Sequence, residues 1–412
     1  MEEAAARCNA ALTLAQVPYT SSVGAILRRP CPPLTPPKAH PDLTRMNALE
    51  LQLDYPHGDT LPAPGRTIQV APGVRWLRMT LPFQLNHVNL WLLRDTQPGP
   101  NPGDAPLHGW TVIDCGISDA LTRAAWEDIF ANELDGLPVL RVIVTHMHPD
   151  HIGLAHWLTE RWSTPTRECR MWISAADFQT ARLVSSPVDQ PGSLGGASTA
   201  RFMASHGLVD AAAQAQLKAR THYYVDMVPQ LPASYRRLVD ADTLQIGGRA
   251  WTCHVGFGHA PEHMALYCAE LATLISGDMV LPRISTNISV HEDEPEANPL
   301  RRYLDSILRL KALPAATRVL PSHGRPFTGL HTRIDQLVAH HDERFADVLA
   351  ACAQAPQHAQ GLLMVLFRRA LDLHQTTFAM GESIAHLNAL WLAGQLTRQL
   401  DSDGIFRFRT VH

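Results

Sequence analysis

The sequence predicts a layered α/β fold, and three observations support it. Short apolar, β-branched stretches recur from Thr67 onward, for example 68–70 and 110–113, and such stretches form strands. A helical pattern over 120–134 precedes the next strand-like run. Strands that alternate with helices pack as a sheet interior covered by helices. Several of these strands are followed at once by His or Asp, which indicates metal-site chemistry at the strand ends.

Length, charge and cysteine content limit the classes of protein to which the chain can belong. With 412 residues, the chain is long enough for two or three domains and a large core. The net charge of −4, with 18% charged residues, gives no global reason to expect nucleic acid or an anionic membrane as partner. Seven cysteines without a C-x-x-C spacing predict free thiols in a reducing compartment. We find neither a secretory signal nor a membrane-length apolar run, and so predict a soluble, cytoplasmic protein without a membrane partner.

Residues 1–50 are predicted to form an N-terminal extension outside the fold. Five prolines lie between positions 30 and 37. A segment of this kind does not easily bury a core, so we expect it to be extended or disordered. Met46 offers an alternative start, after which the chain begins to look folded.

The segment 145–151 carries the strongest functional signal. It reads Thr-His-Met-His-Pro-Asp-His and follows the apolar run 140–144. That run is short and β-branched, as in a strand buried on both faces. Because Pro149 stops regular pairing, we expect the polar residues to lie on a loop at the strand's end.

Four residues of this segment are candidate metal ligands. His146 and His148 alternate with Met147, so their side chains can point the same way along an extended chain. Asp150 and His151 follow the turn and can face a second position nearby. Imidazole and carboxylate ligands suit zinc, and also iron or manganese. A histidine-rich surface loop is the simpler alternative, but a compact His and Asp cluster at a strand end favours the metal site.

Similar residues follow other strands. Asp114 closes the strand 110–113; alone it would be a turn former, but beside a metal it would hold a ligand or the loop in position. Three further strand ends carry His259, Asp278 and His323. His263 begins the next apolar stretch, and we predict a supporting or packed histidine there rather than a ligand.

Together these residues resemble the five signature motifs of the metallo-β-lactamase fold superfamily. The motifs are Asp114, the H-x-H-x-D-H pattern at 146–151, His259, Asp278 and His323, within about residues 67–330. The resemblance implies an αββα sandwich, in which two mixed sheets pack together, helices lie outside and the site lies at one edge.

The resemblance also implies a centre of two divalent metal ions, which we expect to be Zn²⁺, with Fe or Mn as alternatives. His146, His148 and His259 would hold the first ion. The second would be held by Asp150, His151 and His323. Asp278 would bridge the two ions, and Asp114 would act from outside the ligand set.

This arrangement predicts a hydrolase. Two cations about 3.5–4 Å apart can share a water and lower its pKa to about 7. We hypothesise that the resulting hydroxide attacks a carbonyl or phosphoryl group. Asp150 would ligate a metal and orient the nucleophile, and Asp114 would support the site as a second catalytic residue.

The predicted substrate is a small acyl compound, most favourably a thioester, because a thiolate leaves without a strong general acid. The superfamily includes hydroxyacylglutathione hydrolase (glyoxalase II), lactonases, β-lactamases, nucleases and sulfatases. The presence of Asp278 argues against a true β-lactamase, because the sites of those enzymes generally lack this residue. Residues 279–285 depart from the glyoxalase II pattern, so glutathione specificity is not implied. A lactonase and an endoribonuclease or phosphodiesterase are the alternatives.

The predicted organisation is a catalytic domain at 51–330 with a helical cap insertion at 170–240, and a C-terminal helical domain at 331–412. Six residues of the insertion either line a pocket or pack the cap against the main domain: Phe202, Met203, His206, Tyr223, Tyr224 and Met227. An acyl substrate fits under such a cap, whereas a nucleic acid duplex would be obstructed.

The C-terminal region resembles the winged-helix appendage of some superfamily members. Helices are predicted over 330–348, 361–373 and 382–400, followed by a strand at 405–409. Three arginines there keep nucleic-acid binding open as an alternative, namely Arg398, Arg407 and Arg409. The acidic net charge and the presence of only three lysines oppose it. The apolar appendage also suggests a homodimer.

Overall fold

Two β-sheets pack face to face in the computed structural model, which describes residues 47–99, 101–186, 194–220 and 222–411. The predicted N-terminal extension lies outside the described residues except for its last four positions. From Met46 onward the chain forms one compact unit.

The larger sheet has, within the described ranges, seven strands in chain order. The first to the fourth strand pair antiparallel, and the fourth to the seventh strand pair in parallel. Every residue of the fifth strand is buried, as expected for a strand covered on both faces. The strands are β1 (Ile68–Ala71), β2 (Val74–Thr80), β3 (His87–Gln97), β4 (Leu107–Ile113), β5 (Val139–Ile143), β6 (Arg170–Ser174) and β7 (Arg236–Leu238).

The second sheet has five strands in the described part of the chain, in the order β12-β11-β10-β9-β8. Only the pair β11 and β12 is parallel, so both sheets are mixed as expected. The strands are β8 (Thr243–Ile246), β9 (Arg249–Gly256), β10 (His263–Cys268), β11 (Thr273–Gly277) and β12 (Arg318–Pro321).

Helices cover the outer face of each sheet. The first helix begins after Asp119, whose side chain accepts a hydrogen bond from the Thr122 N–H. The helices are α1 (Ala120–Asn132), α2 (Pro149–Ile152), α3 (Ala155–Trp162), α4 (Ala175–Val184), α5 (Ala197–Ser205), α6 (Ala211–Ala219), α7 (Tyr223–Met227), α8 (Pro299–Arg309), α9 (Leu330–Gln354), α10 (Leu363–Phe367) and α11 (Leu373–Leu392). None of the helices in the described ranges is long and apolar enough to cross a membrane.

Three apolar layers hold the sandwich together. Trp76, Trp91 and Trp251 pack between the two sheets with no more than 1% of their surface exposed. A second layer joins the larger sheet to α1, α3 and α4, and a third joins the smaller sheet to α8, α9 and α11. The predicted αββα arrangement is therefore confirmed. The cysteines among the described residues are free and buried, in agreement with the expected free thiols.

The segment 170–240 is helical only in its middle part. Its ends form β6 and β7, which pair in parallel within the larger sheet. Among the described residues of this segment, the helices of the predicted insertion are α4–α7. The pattern missed β7 because only three residues of it pair.

The C-terminal region also differs from the sequence prediction in two places. The helix predicted over 361–373 ends at Phe367, where Arg368 adopts a left-handed conformation with φ 52°. The helix predicted over 382–400 begins earlier, at Leu373, and stops at Leu392. Gly394 then has φ 73°, and residues 396–400 form β13 (Leu396–Leu400), which pairs with β14 (Phe406–Thr410).

Candidate metal centre

Three imidazole nitrogens from two loops converge at one edge of the sandwich. His146 Nε2 lies 2.9 Å from His148 Nδ1 and 3.2 Å from His259 Nε2. The remaining distance, from His148 Nδ1 to His259 Nε2, is 3.0 Å. Nitrogens that each lie about 2.0–2.1 Å from one tetrahedral ion would be about 3.3 Å apart. The spacing of this three-histidine group therefore fits a single zinc-sized cation.

A second group of donors lies beside the first. His151 Nε2 is 3.4 Å from Asp150 Oδ2, and His323 Nε2 is 3.5 Å from the same oxygen. Asp278 lies between the two groups, with Oδ2 3.3 Å from His259 Nε2 and Oδ1 3.4 Å from His323 Nε2. The two oxygens of one carboxylate thus face different groups, which is the placement that a bridging ligand requires.

Two buried candidate ligand atoms have no hydrogen-bond partner among the described residues. They are His151 Nε2 and Asp278 Oδ1, which are 3.7 Å apart. Buried polar atoms are normally paired, so unpaired ones call for an explanation such as an ion. The orphan atoms and the mixed imidazole and carboxylate donors both fit a divalent cation.

The topology explains why these residues meet. Strands β9, β11 and β12 run in the same direction, so the residues that follow them reach the same edge of the smaller sheet. Those residues are His259, Asp278 and His323. The residues after β4 and β5 reach the adjoining edge of the larger sheet. Every candidate ligand predicted from the sequence is therefore brought to one place.

Pro149 does not act as predicted. It was expected to keep the segment in a loop, but it occupies the first turn of the one-turn helix α2, where its missing N–H is no loss. Asp150 and His151 therefore project from a helical turn, whereas His146 and His148 precede it, and His148 has extended backbone angles. This change of backbone direction separates the two pairs of side chains.

Asp114 supports the second group without facing it. Its Oδ2 accepts a hydrogen bond of 2.8 Å from His151 Nδ1, and its Oδ1 accepts one of 2.7 Å from the Thr145 N–H. Because Nδ1 of His151 donates here, Nε2 is the nitrogen available to an ion. Asp114 has φ 62°, a left-handed conformation that Asp adopts more readily than most residues. Its geometry agrees with the supporting role expected from the sequence.

Backbone carbonyls orient two more of the histidines. His259 Nδ1 donates to Asn287 O, and His323 Nδ1 donates to His87 O, each at 2.8 Å. In both residues this leaves Nε2 facing the centre. His263 is fully buried, and its Nε2 accepts a hydrogen bond of 3.1 Å from the Asp278 N–H. It lies beside the centre in a supporting position, in agreement with the sequence prediction.

The electrostatics of the site favour ligand-competent protonation states for two histidines and both carboxylates, whereas the neighbouring carboxylates outweigh burial and raise the pKa of His151 and His323. Burial lowers the pKa of His146 and His148 well below the ordinary histidine range, so both are neutral with a free lone pair. Burial opposes ionisation of Asp150, but the charges of His151 and His323 outweigh it and lower the pKa of Asp150 to about 2. The pKa of Asp278 is also well below its usual range, since His323 and His151 overcome the effect of burial. The carboxylates are therefore ionised at neutral pH.

Sequence reasoning missed two polar residues that hold this site. Asn89 on β3 donates to Pro321 O at 2.8 Å and to Gly324 O at 3.0 Å, on either side of His323. Asp177 on α4 accepts from the Met147 N–H at 2.8 Å. An isolated Asn in a strand or Asp in a helix gives no local signal of such a contact.

The remaining predicted residues mostly pack the fold. Phe202 and Met203 are buried in the core that includes the C-terminal region, His206 is buried beside Phe406 of that region, and Met227 packs on the core of the larger sheet. Tyr224 donates a hydrogen bond of 2.7 Å to Met147 O, beside the centre. Its neighbour Tyr223 is 42% exposed. His331, His340 and His341 lie on helix α9.

Comparisons with known proteins agree with this fold and site. Residues 108–323 match the model of the metallo-beta-lactamase superfamily, and residues 345–411 match that of the metallo-beta-lactamase-like C-terminal domain. The crystal structure of a beta-lactamase domain protein from Burkholderia ambifaria is 51% identical, with a TM-score of 0.80. It aligns over 89% of this chain and 100% of that chain.

Two more distant relatives cover most of the chain. A metallo-beta-lactamase family protein from Thermus thermophilus is 26% identical, with a TM-score of 0.65, over 83% of this chain and 100% of that one. The Bacillus subtilis (strain 168) protein named "Probable metallo-hydrolase YqjP" is 23% identical over 350 residues, which are 81% of this chain and 97% of that protein.

The fold and the cluster of histidines and aspartates define a metal-dependent hydrolase built on an αββα sandwich. The matches with known proteins also identify the family. The chain belongs to the metallo-β-lactamase superfamily.

Proposed function

We propose that the protein binds two divalent metal ions and hydrolyses a thioester of a small acyl compound. His146, His148 and His259 would hold the first ion. The second would be held by Asp150, His151 and His323, with Asp278 shared between the two. The observation that carries the proposal is the placement of the Asp278 carboxylate, whose two oxygens face different groups of candidate ligands.

Zinc is the proposed metal, because three imidazoles at this spacing suit its tetrahedral preference. Iron and manganese accept the same donors. When bound, such ions lower the pKa of a shared water and polarise the carbonyl oxygen of the substrate.

The chain's own residues would orient the reacting groups. The Asp150 carboxylate, ionised because its pKa is about 2, can accept a hydrogen bond from the attacking water. The Asp114 carboxylate would keep the proton of His151 on Nδ1. The Asn287 carbonyl would do the same for His259. No serine or cysteine nucleophile is needed.

An aromatic cluster next to the centre supports an apolar acyl group. The His374 ring lies 6.0 Å from the Phe83 ring, 5.9 Å from the Tyr223 ring and 5.0 Å from the Phe378 ring. The cluster adjoins the metal centre because α7, which carries Tyr223, packs on α2. The charge of Asp150, after burial, contributes to raising the pKa of Tyr223. Aromatic faces bind acyl chains and flat groups better than they bind anions.

Two of the arginines that keep nucleic-acid binding open as an alternative are already paired with carboxylates. Arg398 pairs with Glu296 and lies over the Trp391 ring. Arg407 pairs with Asp401 and Asp403. Phosphate binding would have to compete with these carboxylates, so the contacts favour a small acyl substrate over RNA.

A matched set of substrates tests the proposal. The zinc-loaded protein would be assayed with a thioester and an oxygen ester of the same acyl group, a lactone and single-stranded RNA. We expect the thioester to be hydrolysed fastest. Hydrolysis of RNA alone, or of the lactone alone, would refute the thioester assignment.

Paired variants test the ligand set. His259→Ala should lose metal and activity together, because it removes one nitrogen of the three-histidine group. His340→Ala, a histidine-to-alanine change on α9, should retain both. Full metal content and full rate in His259→Ala would show that the ligand assignment is wrong.

A further inference from the structure

Asp177, near the start of α4, contacts both loops that carry the three-histidine group. Its Oδ1 accepts a hydrogen bond of 2.8 Å from the Met147 N–H. Its Oδ2 accepts one of 2.7 Å from the Glu262 N–H. Met147 lies between two of the three histidines, and Glu262 follows the third by three residues. One side chain therefore joins the two loops directly.

The Asp177 carboxyl group is completely buried and has its own support. None of its surface is exposed. Ser174 Oγ accepts a hydrogen bond of 3.2 Å from the Asp177 N–H and donates one of 3.0 Å to Oδ2. An acidic residue at this position of a helix usually serves only its own helix terminus. Here the carboxylate also binds two N–H groups that belong to other segments.

Burying a carboxylate is costly unless its oxygens are hydrogen-bonded. Burial raises the pKa of Asp177 to about 6, although the bonds from Glu262, Met147 and Ser174 favour the ionised form. The cost of this burial is offset only while both loops keep their N–H groups on the carboxylate. The position of each loop is therefore tied to that of the other.

We propose that Asp177 is a positioning residue that fixes the three-histidine half of the metal centre. By binding both loops, it sets the distance between the segment of His146 and His148 and the segment of His259. This inference rests on the proposed ligand set. The alternative is that Asp177 only caps α4.

Two variants separate these roles. Asp177→Asn keeps the shape of the side chain but leaves one oxygen for two N–H groups, and its NH₂ group faces the other donor. Ser174→Ala removes the cap of α4 and leaves both loop bonds to Asp177 in place. Asp177→Ala gives the same comparison should the Asn variant not fold, since it removes both carboxylate oxygens without presenting an NH₂ group.

The first measurement is amide hydrogen exchange in the metal-free protein. Loss of a hydrogen bond to a charged group should speed exchange at Met147 or Glu262 by about 10- to 100-fold in Asp177→Asn. Exchange at these two amides should be unchanged in Ser174→Ala. Equal protection in Asp177→Asn and the wild type would overturn the proposal, because the two bonds would then not hold the loops.

The second measurement is titration with cobalt(II), followed by its visible absorption. We expect one of the two equivalents to bind about 10- to 100-fold more weakly in Asp177→Asn, as for other residues that orient ligands. Ser174→Ala should bind both equivalents as the wild type does. Equal losses in the two variants would show that Asp177 acts only through its helix.

Neither measurement uses a substrate, so the outcome is separate from that of the proposed function. A wild-type protein that binds metal but hydrolyses no ester-like compound would refute the proposed function and leave this comparison intact. Conversely, wild-type metal binding by Asp177→Asn would refute the positioning role even if thioesters are hydrolysed.

Discussion

Asn89→Ala should both destabilise the fold and loosen the metal centre. The Asn89 side chain is completely buried on β3 and connects the two sheets. Besides donating to Pro321 O and Gly324 O, it accepts a hydrogen bond of 2.9 Å from Trp76 Nε1. Truncation leaves the buried indole N–H and the buried Pro321 carbonyl unpaired. At about 1–3 kcal/mol for each unpaired group, the expected loss is about 2–6 kcal/mol, a large part of a typical domain's stability.

Asn388→Ala is the matched control for Asn89→Ala. Asn388 on α11 is also buried, and its amide donates to Pro295 O and Ala297 O, each at 3.0 Å. Urea unfolding of the metal-free variants would give the stability losses, and cobalt(II) titration would give the metal affinities. Both variants should be less stable, but only Asn89→Ala should bind metal more weakly, because its contacts flank His323. A stability within about 0.5 kcal/mol of the wild type, or unchanged metal affinity in Asn89→Ala, would refute this reasoning.

Three further predictions concern the site and the C-terminal helix. Asp114→Asn should lower the affinity for one metal by about 10- to 100-fold, because His151 loses a charged partner; unchanged cobalt(II) binding would contradict this. Gly277→Ala should lower the free energy of unfolding by more than about 1 kcal/mol, since Gly277 has φ 53° and an added Cβ would lie 2.2 Å from His263 Nε2. Burial lowers the pKa of His386 to about 4, whereas the unfolded chain titrates near 6.5, so the unfolded state binds the extra proton between these values. The contribution of neutral His386 to the free energy of unfolding is therefore full above pH 6.5 and is lost as the pH falls toward 4. Lowering the pH from 7.5 to 5.5 should cost about 1 kcal/mol of stability that His386→Gln does not lose, and equal pH dependence in urea unfolding of both proteins would refute the assignment.

The candidate ligands could be predicted from the sequence because their signal is local. His146 and His148 alternate directly after an apolar strand, and Asp278 and His323 each follow another. A strand that ends at the edge of a sheet delivers the next residue to that edge, so the short pattern already contains the geometry. The two contacts of Asn89 are different in kind, because Asn89 and Pro321 are 232 positions apart. Nothing near Asn89 in the chain indicates that partner.

The errors in the C-terminal region have a similar physical basis. The apolar spacing through Leu390 and Leu396 fits a continuous helix. The chain leaves the helix because Gly394 adopts a left-handed conformation, and its N–H binds Trp391 O. Leu396 is buried as well, but on a strand. Burial alone therefore could not distinguish the two structures, and only the glycine carried the signal for the change.

The C-terminal helix α11 lies beside residues that support the candidate metal centre. His374, Phe378 and Glu382 are spaced by four residues, so they share one face of α11. The first two belong to the aromatic cluster beside α7. Glu382 lies at the other end of the stripe, with Oε2 3.4 Å from Asn287 Nδ2. Asn287 in turn accepts the hydrogen bond of His259 through its carbonyl. The helix α11 therefore contacts both the aromatic cluster and the residue that orients the candidate ligand His259.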